Sequence, residues 1–199
     1  MLVSLMAAQG QGGGVMKILA IQSSPRNKGN TAQVLEWVED ELRVLKHDVE
    51  DVNVGAADIA PCRACDACKQ RPDEPGCQTS DRANDIFASA IAADVIILAS
   101  PLYCWGVSAQ LKALLDRAYC LLKADGSVLI SGKRFGLVMT AGDGLEGNLE
   151  LALPPYRAFV EFFKCHDSGT LLVPLCTKPE ALGADVEQRA RVFARGLVK

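Results

Sequence analysis

The chain has 199 residues, 49% of them hydrophobic, and a formal net charge of −3. This length and composition suit one domain that buries its own core without disulfide or metal support. Its 21 lysines and arginines are scattered along the sequence, which argues against a nucleic-acid partner. No window approaches the roughly 18 consecutive apolar residues of a membrane helix, so we expect a soluble, cytoplasmic protein.

Residues 1–15, MLVSLMAAQGQGGGV, have neither a basic start nor an apolar run long enough for export. We predict that they form a disordered extension that takes no part in the fold. The folded domain is therefore expected over residues 16–199, with a cysteine-rich insertion at residues 55–80.

From residue 17 onward, apolar runs of strand length alternate with amphipathic runs of helix length. This alternation is typical of parallel strands joined by crossover helices. Strands are predicted at residues 17–22, 48–54, 94–100, 134–140 and 169–174, and helices at 31–46, 81–92, 107–122, 145–163 and 179–195.

The first, third and fourth predicted strands are almost wholly apolar, reading ILAI, VIILA and FGLVM. Such strands are expected where helices cover both faces of a parallel sheet. The second, DVEDVNV, alternates polar and apolar residues and therefore suits a sheet edge. Together these features predict an α/β fold, a three-layer doubly wound sandwich whose five parallel strands have the flavodoxin-like order 2-1-3-4-5.

The stretch SSPRNKGNT leaves the first strand at the sheet edge where ligands of open α/β folds bind. Hydroxyls, a guanidinium and the free amides of the next helix start suit a phosphate. We expect Asn30 or Thr31 to cap that helix. A plain strand-to-helix turn uses the same residue types, so composition leaves both interpretations open. The candidate phosphate residues are Ser23, Ser24, Arg26, Asn30 and Thr31.

The loops after the third and fourth strands predict a binding site for a planar ring. The first reads SPLYCWG and offers aromatic walls with a glycine, which suit a flat heterocycle. Tyr103 and Trp105 are alternatively ordinary core or interface aromatics. The second, TAGDGLEGN, is a glycine-rich turn placed to close over the ring. The candidate ring residues are Pro101, Leu102, Tyr103, Cys104, Trp105, Gly106, Thr140, Ala141, Gly142, Asp143 and Gly144.

Four of the eight cysteines lie within residues 62–77 with the spacing C-x2-C-x2-C-x8-C. Four thiolates converging from a short segment suit a [4Fe-4S] cluster. Zinc also takes four thiolates, generally from two C-x2-C pairs, and a metal-free loop of reduced thiols is a third interpretation. All three stay open. The candidate ligands are Cys62, Cys65, Cys68 and Cys77.

The remaining polar and cysteine residues have simpler interpretations. Cys104, Cys120, Cys165 and Cys176 occur singly among apolar residues, which predicts small buried side chains. Asp81 is expected to cap a helix. Lys112, Asp116 and Arg117 have helical spacing and are predicted to form a solvated or interface face.

Three stretches, SPRNKGNT, PCRACDACK and SPLYCWGVSAQLKALLDR, resemble flavodoxin-like NAD(P)H-dependent FMN reductases, including their iron-sulfur flavoprotein branch. The resemblance implies FMN, with its phosphate on Ser24, Arg26, Asn30 and Thr31. It places the isoalloxazine ring against residues 101–106 and completes the pocket with residues 140–144. The last cysteine spacing is longer than that branch usually has, which puts the fourth ligand in doubt.

The resemblance also implies an activity and partners. The leading expectation is an FMN-dependent NAD(P)H oxidoreductase that works as a homodimer or homotetramer, with electrons passing to a small-molecule acceptor or to a redox protein such as ferredoxin. No catalytic side chain is assigned, since the flavin carries the hydride chemistry. The alternatives are an iron-sulfur electron carrier fed by ferredoxin and a phosphate-ligand binding domain without turnover.

Overall fold

The fold is given by a computed structural model that describes residues 14–71 and 74–199. Nearly all of the predicted extension, residues 1–15, lies outside the described residues. Five parallel strands form one sheet in the order β2-β1-β3-β4-β5. The strands are β1 (Lys17–Gln22), β2 (Asp48–Asn53), β3 (Val95–Pro101), β4 (Arg134–Thr140) and β5 (His166–Val173), and the helices are α1 (Asn30–Val44), α2 (Ala83–Ala92), α3 (Ala109–Arg117), α4 (Leu153–Phe162) and α5 (Ala184–Leu197).

The predicted doubly wound sandwich and its strand order are confirmed. β1 and β4 have the predicted bounds, and β2 lies at an edge of the sheet as predicted. β5 begins three residues earlier than predicted, because the exposed residues His166 and Asp167 pair with β4 without any apolar pattern. Strand pairing at an exposed end is made by the backbone and leaves little trace in side-chain hydrophobicity.

All five helices are shorter than predicted, and α5 begins five residues later than expected, at Ala184, after a 3₁₀ turn at Pro179–Ala181. The differences are largest at α3 and α4. α3 stops at Arg117 and continues as a 3₁₀ turn over Ala118–Leu121. The fourth helix was expected from residue 145, but α4 starts at Leu153 after a 3₁₀ turn at Leu149–Ala152. Two prolines stand in its first turn, where a missing amide costs no hydrogen bond. Residues 145–148 are therefore free to form a loop at the end of β4.

Helices cover both faces of the sheet, which explains its apolar strands. Ile18 and Ala20 of β1 face α1 and α5, whereas Leu19 and Ile21 face α2, α3 and α4. This alternation follows from the two-residue period of a strand. Within residues 14–71 and 74–199, no helix is long and apolar enough to cross a membrane.

Gly55 joins the cysteine-rich segment to the loop after β1. Its amide donates to Asn53 Oδ1 over 2.8 Å, and Asn53 Nδ2 donates to Asn27 Oδ1 over 3.0 Å. A Cβ at Gly55 would lie 2.0 Å from the carbonyl oxygen of Ser24. Only glycine allows the two backbones to approach this closely.

We expect Gly55→Ala to lower the free energy of unfolding by roughly 1–3 kcal/mol, the usual cost of overpacking, because the new methyl group meets backbone and not a flexible side chain. Urea denaturation measures the change. Gly196→Ala in α5 is the control, since no described atom lies within 4 Å of the new Cβ, and its expected effect is neutral to stabilising by about 1 kcal/mol. Equal stabilities for the two variants would contradict the proposed backbone contact.

Candidate functional site

The loops that leave β1, β3 and β4 are tied together at the carboxyl edge of the sheet. The hydroxyls of Thr31, in the first turn of α1, and Thr140, at the end of β4, lie 2.7 Å apart and are buried. Ser108 Oγ, at the start of α3, donates to the carbonyl oxygen of Ser23 over 3.0 Å. The loops after β3 and β4 are therefore both fixed to the loop after β1 by buried hydrogen bonds.

Ser108 was missed by the sequence analysis. It is the N-cap of α3, and its hydroxyl accepts the amide of Leu111 over 3.3 Å. A serine just before a helical run is a recognised cap signal. It was overlooked because the helix was predicted to begin at residue 107, which placed Ser108 inside it.

The serines of the loop after β1 are used within the protein. Ser23 is fully buried and its hydroxyl donates to the carbonyl oxygen of Ala99 over 2.8 Å. Ser24 Oγ accepts the amide of Arg26 over 3.1 Å. These bonds hold the loop in shape and leave the exposed Arg26 side chain at its surface.

The start of α1 offers unpaired polar groups. The predicted cap at Asn30 or Thr31 is wrong, because the helix starts one residue earlier and its N-cap is Gly29. Glycine has no side chain to accept the first amides, and the first turn, NTAQ, contains no acidic residue. Asn30 Oδ1 is buried without a hydrogen-bond partner among the described residues. Such a helix end attracts anions.

A tight turn presents Trp105 at the end of β3. The amide of Tyr103 donates to Gly106 over 2.9 Å, and the amide of Gly106 donates back over 3.0 Å. Between them, Cys104 and Trp105 both adopt left-handed backbone angles, with φ of 45° and 60°. This is the geometry of a type I′ turn, which Cys and Trp rarely adopt, and such strained residues cluster at functional sites. It leaves the Trp105 side chain 62% exposed.

Cys104 corrects the prediction of a buried thiol. It lies at the tip of this turn and is exposed, whereas Cys120 and Cys176 are buried as predicted and Cys165 is half-buried. The apolar neighbours of Cys104 in sequence belong to a strand and a helix, and the turn between them projects into solvent.

A cavity of about 520 Å³ lies between this turn and the loop after β4. Glu146, Gly147 and Asn148 were missed as lining residues because a helix was predicted there. The predicted phosphate residues do not line this cavity, although Thr31 is bonded to Thr140 beside it. Its lining comprises Leu102, Cys104, Trp105, Ala141, Gly142, Asp143, Gly144, Glu146, Gly147 and Asn148.

Two other cavities compete with this one. The larger, about 570 Å³, lies along α1 and β2 and is lined by more carboxylates than cations, including Glu36, Glu39, Asp40 and Asp51. A phosphate-bearing ligand would be repelled there. The second, about 420 Å³, is mainly apolar and lies between α3 and α4. It shares Cys104 with the cavity between the loops after β3 and β4. The cavity between the loops after β3 and β4 is lined by Asp143 and Glu146 and by no cation of the described residues, so charge does not single it out. The exposed aromatic side chain of Trp105 at its wall favours it as the site of a planar ring.

The four predicted cysteine ligands line a single small cavity. Cys68 is buried in a 3₁₀ turn, Cys77 is half-buried, and Cys62 and Cys65 are exposed. Ala64 and Asp66 have left-handed backbone angles, with φ of 51° and 53°, and coil the chain between successive cysteines. The long last spacing therefore does not keep Cys77 from the other three.

Within the two described ranges, no group of three or more His, Cys, Asp or Glu side chains is arranged to hold one metal ion. This geometry disfavours zinc, whose ligands must converge on a single centre. A four-iron cluster distributes its four thiolates over separate iron atoms, so its ligands stand further apart. Four thiols that line one cavity without converging on a single point are therefore compatible with a four-iron cluster.

Residues 16–156 match the family model described as NADPH-dependent FMN reductase. The chain belongs to this FMN reductase family. The predicted resemblance is thereby confirmed, and FMN, the predicted cofactor, is the one that the family description names.

Curated relatives point to one branch of the FMN reductase family. The chain is 34% identical over 130 residues to an iron-sulfur flavoprotein from Methanosarcina thermophila, covering 65% of this chain and 62% of that protein. It is 30% identical over 148 residues to an iron-sulfur flavoprotein from Methanocaldococcus jannaschii, covering 74% and 71%. The chain thus spans less than two thirds of the length of the first relative.

Solved structures share the fold of this FMN reductase family member. An NAD(P)H:quinone oxidoreductase from Methanothermobacter marburgensis aligns with a TM-score of 0.71 at 16% identity, over 94% of this chain and 98% of that one. An FMN-dependent NADH-azoreductase from Bacillus anthracis in complex with FMN aligns with a TM-score of 0.68 at 15% identity, over 93% and 100%. At these identities the likeness establishes the fold alone.

Arg117 is another residue that the sequence pattern misplaced. It was predicted on a solvated or interface face, but it is 1% exposed because the cysteine-rich segment packs over the end of α3. Its guanidinium pairs with Asp81 and lies 3.4 Å from Cys77 Sγ. Asp81 accepts the amide of Ala83, the first residue of α2, but the N-cap of that helix is Arg82, so the predicted cap at Asp81 is wrong by one residue. The ion pair of Asp81 with Arg117 was not foreseen.

The thiols around this cavity differ in acidity. Burial alone would raise the pKa of Cys77, but the Thr79 amide and the Arg117 guanidinium outweigh it and hold the pKa below its usual value. Burial, reinforced by the neighbouring Cys77 and Cys68, raises the pKa of Cys120 to about 12. A thiolate therefore forms more readily at Cys77 than at Cys120.

In metal-free protein at pH 8, we expect iodoacetamide to label Cys77 at least about tenfold faster than Cys120, because only the thiolate reacts. Peptide mass spectrometry after timed quenching measures both rates. In urea the two cysteines should react alike, which controls for local sequence. Fast labelling of Cys120 in the folded protein would contradict the environments described for these thiols.

Proposed function

We propose that this chain is an FMN-dependent oxidoreductase that accepts electrons from NAD(P)H and passes them to a small-molecule acceptor. The observation that carries the proposal is the cavity between the loops after β3 and β4, beside the helix start at Gly29. The cavity offers an aromatic turn to a ring. The helix start, joined to this edge by the Thr31–Thr140 hydrogen bond, offers free amides and the nearby Arg26 to a phosphate.

The residues present fit FMN. Arg26 and the first amides of α1 would hold the phosphate, together with Ser24, Asn30 and Thr31, and the unpaired Asn30 oxygen suits a hydroxyl donor of the ligand. Ser23, fully buried, would keep the loop in place. The ring would lie against Trp105, between the loops that contain residues 101–106 and 140–144.

When bound, FMN supplies the hydride chemistry, and the chain contributes binding and orientation. The rigid turn at Cys104 and Trp105 would fix one face of the ring. Gly142 lines the other side of the cavity, where its backbone amide can donate to a polar ring edge, whereas the amide of Gly144 donates to Asp143 Oδ1. We accordingly propose no catalytic acid or base among the side chains.

The donor, acceptor and assembly belong to the proposal as well. The quinone oxidoreductase and the azoreductase that share the fold support NAD(P)H as donor and a small organic acceptor such as a quinone or an azo compound. Exposed apolar side chains, including Trp105, Leu151 and Phe162, support a homodimer or homotetramer. All eight cysteines are free, which supports a reducing compartment such as the cytoplasm. Residues 16–199 would form one domain, with residues 55–80 as its insertion.

A second candidate is an iron-sulfur electron carrier, favoured by the single cavity that the four cysteines line and by the iron-sulfur flavoproteins among the relatives. The soft thiolates of Cys62, Cys65, Cys68 and Cys77 fit a [4Fe-4S] cluster, and the cation of Arg117 lies beside them. A bound cluster supplies one-electron transfer. The partner would then be a small redox protein such as a ferredoxin.

The chain contains two tryptophans, Trp37 and Trp105, which makes the flavin site testable by fluorescence. Added FMN should quench the emission of the wild type and of Trp37→Phe, because Trp105 lies at the proposed ring site. We expect little quenching in Trp105→Phe, whose remaining tryptophan packs against the α1 and α5 side of the sheet. A fluorescence titration with FMN measures both affinity and quenching.

Trp37→Phe is the matched control for that titration. Undiminished quenching in Trp105→Phe would place FMN elsewhere, and an absence of FMN binding by the wild type would reject the proposed function. In FMN-loaded wild type, bleaching of the flavin absorbance near about 450 nm by NADPH then separates an oxidoreductase from a binding domain.

For the second candidate, anaerobic reconstitution should give about four iron and four sulfide per chain. We expect Cys65→Ser to lose most of this iron, because the variant removes one thiolate ligand. Iron and acid-labile sulfide analysis measures the loss. Cys176→Ser is the control, since Cys176 is buried in the α5-side core. Full iron content in Cys65→Ser would reject the cluster.

A further inference from the structure

Three basic side chains lie between the cysteine-rich segment and the end of α3. They are Lys69 from the segment, Arg117 from the last turn of α3, and Lys123 from the chain that follows. We call them the basic clamp. Arg117 is 1% exposed and Lys123 is 4% exposed. Cations so deeply buried are costly unless negative or polar groups surround them.

Arg117 contacts several separate parts of the cysteine-rich segment. Its Nη1 donates to the carboxylate of Asp81 and to the carbonyl oxygen of Ala60 over 3.4 Å. Its Nη2 donates to the carbonyl oxygen of Thr79 over 3.2 Å and to Cys77 Sγ over 3.4 Å. One planar guanidinium thereby fixes Cys77 relative to the start and the end of the segment.

The two lysines link the same segment to the chain that follows α3. Lys123 Nζ donates to the carbonyl oxygen of Arg71 over 2.8 Å and also to that of Glu74. Lys69 Nζ donates to the carbonyl oxygen of Tyr119 over 2.7 Å and lies 3.4 Å from the centre of its ring. Most acceptors of the clamp are neutral carbonyls, which leave its charge uncompensated.

Negative charge is scarce at this place. Asp81 pairs directly with the clamp, and Asp66 lines the cavity but is exposed. The carboxylate of Glu74 also acts on Lys123, but it is exposed and pairs with Arg71. Arg117 also has a buried Nε for which the described residues provide no hydrogen-bond partner. Four thiolates on a [4Fe-4S] core of charge +2 carry a net charge of −2. An anionic cluster in the cysteine cavity would therefore offset the excess positive charge of the clamp.

We propose that Arg117 is a positioning residue for a [4Fe-4S] cluster held by the four cysteines, that it donates a hydrogen bond to the Cys77 sulfur, and that the clamp raises the cluster's reduction potential. The inference rests on the second candidate function. N–H···S bonds and nearby cations stabilise the more negative, reduced cluster. Lysine keeps the charge of Arg117 but cannot reproduce the planar fork that reaches Cys77 and Thr79 together.

The test is a redox titration of the anaerobically reconstituted full chain, with the cluster followed by electron paramagnetic resonance. Arg117→Gln should shift the reduction potential to more negative values, and Arg117→Lys should shift it less in the same direction. Asp81→Asn should shift it to more positive values, because it removes a carboxylate from the clamp while asparagine still accepts the amide of Ala83. Lys112→Gln, an exposed site on the same helix, should leave the potential unchanged.

If the clamp acts only by holding the segment in place, Arg117→Gln and Asp81→Asn loosen the same contacts and should shift the reduction potential in the same direction. Shifts of opposite sign therefore show that the charge of the clamp acts on the cluster. An unchanged potential in Arg117→Gln, or shifts of the same sign in both variants, would overturn the inference. If Arg117→Gln holds no iron, the test rests on Asp81→Asn. A reduction potential of that variant at or below the wild-type value would overturn the inference. A wild-type chain without iron would instead reject the second candidate function itself.

Discussion

The buried hydrogen bond between Thr31 and Thr140 is the contact on which the candidate flavin site depends. It spans 2.7 Å and joins the first turn of α1 to the end of β4, across the intervening strand β3. Parallel strands bring their carboxyl ends to one edge, but only such cross-links keep the loops at fixed distances. Because Ser108 ties α3 to the same place, loops from three strands act as one rigid frame.

A second constraint acts at the cysteine-rich segment, which contains a single short 3₁₀ turn and no strand among its described residues. A segment with so little regular structure needs other contacts to keep a fixed shape. The buried charges of Arg117 and Lys123 provide them, since each charge must be surrounded by acceptors and the segment's carbonyls are the acceptors at hand. The same charges then determine the environment of the thiols.

The two candidate sites suit complementary tasks. A flavin exchanges two electrons with a nicotinamide and releases them singly, whereas an iron-sulfur cluster carries one at a time. Gly55 packs against the backbone of Ser24, so the cysteine-rich segment starts in direct contact with the proposed phosphate loop. One continuous stretch of chain thereby connects the two proposed centres.

The sequence by itself determined the fold class, the strand order and the loops that carry the candidate residues, because buried parallel strands and turns leave strong local patterns. It also indicated the FMN reductase family. It could not reveal that Arg117 is buried, since charge and helical spacing are the same for a solvated arginine and for one covered by a distant segment. The cap at Gly29 and the exposure of Cys104 became visible only in the three-dimensional structure, because the residue at which a helix or a tight turn begins is set by backbone angles that leave no hydrophobic pattern. The burial of Arg117, in contrast, depends on contacts with residues far away in the chain.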